Sequence, residues 1–288
     1  MNKILVTGSN GQVGSELREL ASAYPYDFFF TDRDSLDITN EQSIRDFIDI
    51  HNIDVIINCA AYTAVDKAES QQESADAVNN KAVGFLAQTS KDKNIKLIHI
   101  STDYVFDGKN YKPYTENDIT SPSSIYGESK LNGEIIMKEI NPKNSIIIRT
   151  SWVYSYFGNN FVKSMLKLGR EKDELGVIFD QVGTPTYARD LAKTILEILP
   201  KIETSEVEIY NYSNEGVLSW YDFAKEIMKM TKLDCKINPI ESKDYPTPVK
   251  RPHYSLLNKS KIKQKFNIEI PFWKDSLDAC LKVLGERR

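Results

Sequence analysis

The sequence predicts an α/β fold, a doubly wound parallel sheet with a smaller C-terminal unit. Three observations carry that expectation: an apolar run at the amino terminus that breaks into a glycine turn, apolar β-branched runs alternating with helix-period stretches as far as about residue 150, and a shift after that point to aromatic and turn residues. A chain of 288 residues can bury one large core with a small second one. The expected division is 1-151 and 152-288, with segments near 176-180 and 206-212 returning to the sheet.

Taken in order, Lys3-Ile-Leu-Val-Thr7 reads as a strand, Gly8-Ser-Asn-Gly11-Gln-Val-Gly14 as a turn, and Glu16-Leu-Arg-Glu-Leu20 as the resumption of a helix. Glycines there let the backbone turn tightly and let a diphosphate approach the amides at a helix amino terminus. The bland alternative is a tight turn with glycines for packing. Tyr26–Thr31 reads as a second strand ending at Asp32-Arg33, about where a dinucleotide fold meets the adenosine ribose. Asp32 suits the free ribose hydroxyls of NADH, whereas Arg33 suits a 2′-phosphate and tips the expectation toward NADPH. Thr39-Asn-Glu-Gln42 predicts a capping box for a helix through about His51, followed by a buried strand at Asp54–Asn58. A helix over 79–91, the strand Lys96–Ser101, a helix carrying Tyr126 and Lys130, and the strand Ser145–Arg149 complete a Rossmann-like alternation.

In such sheets ligands lie beyond the carboxyl ends of the strands, and three segments fall there: Cys59–Thr63, Ser101–Tyr104 and Thr150–Trp152. Tyr126 follows the second of these. On a helix its spacing of four to Lys130 stacks phenol and ammonium on one face, and a nearby cation lowers a phenol pKa from its ordinary value of about 10. The spacing alone carries little, because Tyr221 and Lys225 repeat it within the amphipathic, packing-type helix Leu218–Met228.

Composition excludes several classes. A net charge of -4 without a sustained basic stripe argues against nucleic acid. Apolar runs are too short to span a membrane, and Met1-Asn-Lys leads into a strand without a signal-peptide core, so a cytoplasmic protein is expected. Cys59, Cys235 and Cys280 form no ligand pattern with His51, His99 and His253, so neither zinc nor disulfides are expected.

The motifs Thr7-Gly8-x-x-Gly11-x-x-Gly14, Cys59-Ala-Ala-Tyr-Thr-Ala-Val-Asp-Lys-Ala-Glu69, Ser101-Thr-Asp-Tyr-Val-Phe-Asp-Gly108, Tyr126-x-x-x-Lys130, Arg149-Thr-Ser-Trp-Val-Tyr154, Gly158-Asn-Asn-Phe161 and Asp180-Gln-x-Gly-x-Pro-Thr186 resemble the extended short-chain dehydrogenase/reductases. Within them the chain is similar, over nearly its whole length, to the dTDP-4-dehydrorhamnose reductases. The resemblance implies reduction of the 4-keto group of a dTDP-linked 6-deoxyhexulose by NADPH, with NADH possible. It implies Tyr126 as proton donor, Lys130 as the group that holds the nicotinamide ribose and depresses the phenol pKa, and Thr102 as hydrogen-bond donor to the developing alkoxide. By the same likeness Gly8, Asn10, Gly11, Gln12, Val13, Gly14, Asp32, Arg33, Asp37, Ile38, Ala60, Ala61, Tyr62 and Thr63 would meet the cofactor, and Thr102, Asp103 and Trp152 the sugar. Trp152 as core, Asp103 as a loop cap and Asp37 as a turn residue are the alternatives.

Asn159 and Asn160 read as caps for the helix that begins at Phe161. The segment Asp244–Ser255 is proline-rich, and its Arg251 is either a lid residue for the sugar diphosphate or a solvated surface charge. The resemblance also implies that members can form a dimer whose subunits share Mg²⁺ on acidic side chains, one in the first helix and one in the helix after the Pro-Thr motif. Glu16 matches the first position, but the second holds Arg189, with Asp190 beside it, so a metal-bridged dimer is not expected; the chain is a monomer or a homodimer. Three rival functions remain: a 6-deoxytalose-type ketoreductase, an epimerase or dehydratase on the same scaffold, and a non-catalytic regulatory subunit. A dehydratase would place Thr-Asp-Glu where this chain has Thr102-Asp103-Tyr104, and an inert subunit has no need to retain Thr102, Tyr126 and Lys130 together.

Overall fold

A computed structural model of the chain describes residues 2–287. In chain order the strands are β1 (Lys3–Thr7), β2 (Asp27–Phe30), β3 (Val55–Asn58), β4 (Lys96–Thr102), β5 (Ile146–Thr150), β6 (Val153–Tyr154), β7 (Glu174–Ile178), β8 (Val182–Gly183), β9 (Thr186–Tyr187), β10 (Glu208–Asn211), β11 (Leu218–Ser219) and β12 (Lys236–Ile240). The α-helices are α1 (Gln12–Leu20), α2 (Glu41–His51), α3 (Val65–Ala68), α4 (Gln72–Asp76), α5 (Ala82–Lys93), α6 (Ile125–Ile140), α7 (Phe161–Glu171), α8 (Ala188–Ile198), α9 (Trp220–Thr231), α10 (Ser260–Phe266) and α11 (Trp273–Val283).

Six strands form one sheet in the order β2-β1-β3-β4-β5-β10, with every pairing parallel. The inner strands read Val-Ile-Ile-Asn and Ile-Ile-Ile-Arg-Thr, apolar without alternation, because helices cover both faces. Side chains still part by the strand's period of two. Ile4, Val6, Val55, Ile57, Ile98, Ile146 and Ile148 pack with α1 and α8, whereas Leu5, Ile56, Leu97 and Ile147 pack with α2, α5 and α6. The chain passes from β1 to β2 on one side and returns to β3 on the other, so the strand order reverses beside β1. A crevice opens there at the carboxyl ends of the strands.

The segment at 208–211 lies at the edge of this sheet, with Ile209 in register with Ile147. The expected return of residues 176-180 is corrected. Strand β7 pairs in parallel with β12 in its own two-stranded sheet, Leu175 opposite Ile237. Of the five residues of β7 only Val177 is buried, so the strand has too little buried apolar surface for a place inside a doubly covered sheet. With α7, α9 and α11 it closes a second core around Phe223, Ile227 and Leu277.

Two local expectations also change. The cap of α2 is Asn40, which accepts from the Ser43 amide at 3.1 Å; Thr39 instead donates to Asp37. The helix expected from residue 79 starts at Gln72 and passes through a π-turn at Ala77–Lys81 before α5. A π-turn inserts one residue per turn and turns side chains to a different side. Asn79, in that turn, is buried and bonds Tyr62 N, Tyr62 O and Ser129 Oγ.

Helix α6 is capped at its start by Ser124, whose hydroxyl accepts from the Gly127 amide, and at its end by Asn141 in the left-handed conformation. It is anchored to the sheet by a buried ion pair. Arg149 Nη2 donates to Glu134 Oε2 at 2.6 Å, Arg149 Nε donates to Glu134 Oε1 at 3.0 Å, and Ser101 Oγ donates to the same oxygen at 2.5 Å. Glu134→Ala leaves the Arg149 guanidinium buried without its counter-charge. We expect it to lower the unfolding free energy by about 3–5 kcal/mol in urea denaturation, whereas a loss below about 1 kcal/mol would show that the pair does not anchor the helix.

Candidate functional site

A cleft of about 1200 Å³ runs along the carboxyl edge of the sheet, from the turn after β1 to the loop after β5. Its floor is glycine. Gly8 has φ +63, and a Cβ there would stand 2.6 Å from the Ala60 backbone, so only glycine lets the loops after β1 and β3 approach so closely. Helix α1 begins directly after Gly11 with no side-chain cap on its amino end, which leaves that end to a ligand. Asn10, Gly11, Gln12 and Val13 line the cleft beside it. Gly14 does not line it and is packed against Gly8 O and Ser9.

At the mouth, Asp32 accepts from Asn10 Nδ2 at 2.7 Å and from Ser35 Oγ at 2.7 Å, and these bonds hold its carboxyl below the usual range. Arg33 is exposed beside it on the cleft wall. Asp37 accepts from the amide and hydroxyl of Thr39, which lowers its pKa, and it also faces the cleft with Ile38. Its turn role and its place in the wall therefore coexist. Ala60, Ala61, Tyr62 and Thr63 form the opposite wall, with the Tyr62 backbone held by the Asn79 amide.

Thr102, Asp103, Tyr126 and Lys130 are all buried and all line the inner part of the cleft. Thr102 ends β4 and accepts from the Tyr104 amide at 3.2 Å. Asp103 Oδ1 accepts from Thr102 Oγ1 at 3.1 Å, while its Oδ2 is buried without a hydrogen-bond partner. Burial pushes this carboxyl up to about 7, with the Thr102 bond opposing. Asp103 does more than cap its loop. Trp152 has φ 48, lines the cleft, and stacks on Trp220 with ring centroids 3.6 Å apart, so it is a half-buried platform rather than plain core. Asn160 caps α7 as expected and also donates to Gln12 Oε1 at 3.0 Å; Asn159 lines the cleft.

The expected effect of Lys130 on the phenol is not what the geometry gives. Burial raises the Tyr126 pKa well above its ordinary value, and Thr102 is the neighbour that opposes it. Lys130 Nζ turns instead toward β4, donating to Ile100 O at 2.7 Å and lying 3.2 Å from His99 Nε2. Burial lowers the Lys130 pKa to about 8, against Glu134 and Cys59. The phenol thus stays protonated at neutral pH. Arg251 lies outside this cleft, in a second cavity of about 510 Å³, and is paired with Asp66 Oδ2 at 2.6 Å. Its Nη1 approaches Tyr104 Oη at 3.4 Å, so it is a tied residue rather than a solvated charge.

Glu16 is fully buried, accepting from Ser155 Oγ at 2.6 Å and Arg189 Nη1 at 3.2 Å. With a guanidinium already against its carboxylate, this donor set does not fit Mg²⁺, and among the described residues there is no cluster of three or more metal-ligating side chains. Sequence patterns missed Asn58 and His99, both buried on the strands behind the cleft, where Asn58 Nδ2 lies 3.0 Å from His99 Nδ1 and His99 Nε2 3.2 Å from Lys130 Nζ. The signal was present in two polar side chains within apolar parallel strands, where nothing polar is needed for the fold.

The Asp103 carboxyl binds a proton in the folded protein between its unfolded pKa of about 4 and its folded value of about 7, so it makes stability fall as pH rises through that window. Asp103→Asn should flatten the pH dependence of urea unfolding there, by at most about 1.4 kcal/mol per pH unit. Identical slopes for variant and wild type would show that this carboxyl titrates normally.

The family model for the RmlD substrate binding domain matches residues 1–285. The chain is 42% identical over 287 residues to a dTDP-4-dehydrorhamnose reductase of Aggregatibacter actinomycetemcomitans, covering 96% of this chain and 97% of that one. Its structure is similar to that of a dTDP-4-dehydrorhamnose reductase from Clostridium acetobutylicum, with a TM-score of 0.93, 40% identity, and 98% and 99% of the two chains covered. The enzyme of that name from Bacillus anthracis, solved in complex with NADP, gives a TM-score of 0.93 at 36% identity over 98% of this chain and 100% of that one. With a full-length match at this identity and the glycine turn, Thr102, Tyr126 and Lys130 in one cleft, the chain belongs to the dTDP-4-dehydrorhamnose reductase family.

Proposed function

We propose that the chain reduces the C4 carbonyl of dTDP-4-dehydro-L-rhamnose to the alcohol of dTDP-L-rhamnose. The observation that carries this reading is the convergence of a protonated, buried phenol at Tyr126 and the Thr102 hydroxyl in the same cleft as the glycine turn. Bound NADPH supplies the hydride. As the carbonyl π bond opens, its oxygen gains negative charge, and Tyr126 Oη gives that oxygen its proton, leaving a phenolate that must regain one from Lys130 or water. Thr102 donates a hydrogen bond to the developing alkoxide. The dry surroundings that raise the phenol pKa also strengthen these contacts.

The amides at the start of α1, with Gly8, Asn10, Gly11, Gln12 and Val13, suit the cofactor diphosphate, and Arg33 beside Asp32 suits a 2′-phosphate. Ile38, Ala60, Ala61, Tyr62 and Thr63 border the space between. Asp103 and the Trp152–Trp220 stack offer polar and flat apolar contacts to a sugar ring, and residues from 152 onward mainly serve the sugar nucleotide. No described helix is long and apolar enough to cross a membrane. A nucleotide sugar and NADPH are cytoplasmic metabolites, which favours that location, and the Glu16–Arg189 pair favours a monomer or a homodimer without a bridging metal.

Absorbance assays of NADPH oxidation with dTDP-4-dehydro-L-rhamnose, with the product sugar identified, test the reaction; a redox-neutral product would replace reduction with epimerisation or dehydration. Tyr126→Phe should lower kcat by about 10²–10⁴-fold, as loss of a positioned proton donor does, and a kcat within threefold of wild type would remove Tyr126 from the chemistry. Arg251→Ala should raise the KM for the sugar nucleotide roughly tenfold with kcat nearly unchanged, the effect of one charge-assisted hydrogen bond. An unchanged KM would leave Arg251 only its bond to Asp66.

A further inference from the structure

One ion pair stands between the cleft and the second cavity. Val65 and Tyr104 line the cleft and Arg251 lines the second cavity; between them Arg251 Nη2 donates to Asp66 Oδ2 at 2.6 Å, while its Nη1 lies 3.4 Å from Tyr104 Oη. Asp66 belongs to α3, beyond the end of β3, whereas Arg251 comes from the chain between β12 and α10. The contact therefore joins the two parts of the molecule across the gap.

This pair is built to exchange rather than to hold. The Glu134–Arg149 pair engages both carboxylate oxygens and is at most 3% exposed. Here a single oxygen is engaged, Asp66 Oδ1 is buried without a hydrogen-bond partner, and the Arg251 and Asp66 side chains are 22% and 42% exposed. An ion pair so open to water contributes little. The strap that carries Arg251 is tied as lightly: among the described residues no backbone–backbone hydrogen bond holds 246–252, and Thr247 Oγ1 bonds only Val249 O within it. Just past the strap the chain is fixed, with Val182 N donating to His253 O at 2.7 Å and Gly108 packed closely on Pro252.

A guanidinium presents two parallel N–H donors that match phosphate oxygens, and only one of them meets Asp66. Lys243 and Lys250 join Arg251 on the wall of the second cavity against Asp180 and Glu241, an excess of positive charge that suits a diphosphate. The span is also right. In a pyranose C1 lies across the ring from C4, so a sugar held by its C4 carbonyl at Tyr126 turns its diphosphate away from that phenol. The Tyr104 ring meets the Tyr126 ring at 5.5 Å between centroids and reaches Arg251 with its hydroxyl, so one six-membered ring bridges the acid and the arginine.

We infer that Asp66 is a specificity-determining residue: its carboxylate holds Arg251 until the diphosphate of a nucleoside diphosphate sugar takes its place, and the exchange opens the partition between the two cavities. A sugar without the diphosphate would have to break the pair with nothing in return, so the partition selects the nucleotide-linked sugar.

The inference rests on the proposed reduction for its choice of ligand, but its test needs no turnover. In calorimetric titrations the Kd for dTDP should fall about two- to fivefold in Asp66→Asn, the size of a partly exposed ion pair, because Arg251 is then no longer held back. Thymidine, which has no phosphates, should gain nothing, and in an Arg251→Ala background Asp66→Asn should leave the Kd for dTDP unchanged. Weaker or unchanged dTDP binding in Asp66→Asn would mean that the pair persists in the complex, and a gain shared by thymidine or surviving Arg251→Ala would reduce Asp66 to a general negative charge; each result overturns the inference, as does a wild-type protein that does not bind dTDP. Should Asp66→Asn not fold, ¹⁵N-arginine spectra of the wild type decide: the side-chain signal that is absent in Arg251→Lys must shift on addition of dTDP and stay in place on addition of thymidine. Partner exchange in a protein that fails to oxidise NADPH with the ketosugar would uphold this inference and remove the reductase reading.

Discussion

The buried Glu134–Arg149 ion pair, with Ser101 as its third member, is the contact on which the site's geometry depends. Its three residues belong to α6, β5 and β4, so one salt bridge fixes the helix bearing Tyr126 and Lys130 over the strand that ends in Thr102. Both charges are at most 3% exposed, so each is costly without the other, and sliding α6 by a turn would bury two unpaired ions. That penalty specifies one helix position among several that apolar packing alone would tolerate. The close contact at Gly127, where a Cβ would stand 2.3 Å from Tyr104 O, sets the start of the same helix just as tightly.

Burial then does the electrostatic work. The same dry environment raises the pKa of Tyr126, raises that of Asp103 to about 7, and lowers that of Lys130 to about 8, in each case disfavouring the charged form. Lys130 also ends a buried series of polar contacts that reaches back through His99 and Asn58 to Thr7 on β1. The glycine turn belongs to the same series, because Thr7, which bonds Asn58, immediately precedes Gly8.

Much of the fold was legible because parallel sheets covered on both faces have a simple sequence signature, apolar runs separated by helix-period segments, and the chain shows it plainly through β5. The glycine turn was legible for a similar reason: the backbone approach of Gly8 to Ala60 admits no other residue. The partner of β7 was not legible, since Val177-Ile-Phe179 suits any strand and only long-range contact with β12 chose between sheets. The π-turn at Ala77–Lys81 left no mark on periodicity, and Asn40 displaced Thr39 as a cap within a run of residues all able to serve. Arg251 looked free in the sequence because Asp66 is far from it along the chain.

By itself, the sequence determined which residues could carry reduction chemistry: a turn that only glycines can make, a tyrosine and a lysine one helical turn apart, and a threonine at a strand end. These are local properties, set by backbone sterics and by spacing along one element. The tertiary structure alone decided what those residues do electrically. Whether Lys130 faces Tyr126 or His99, whether Asp103 is solvated or dry, and whether Glu16 meets Arg189 all depend on atoms distant in sequence and close in space. Desolvation and hydrogen-bond polarity belong to the folded surroundings of a group, and no motif encodes them.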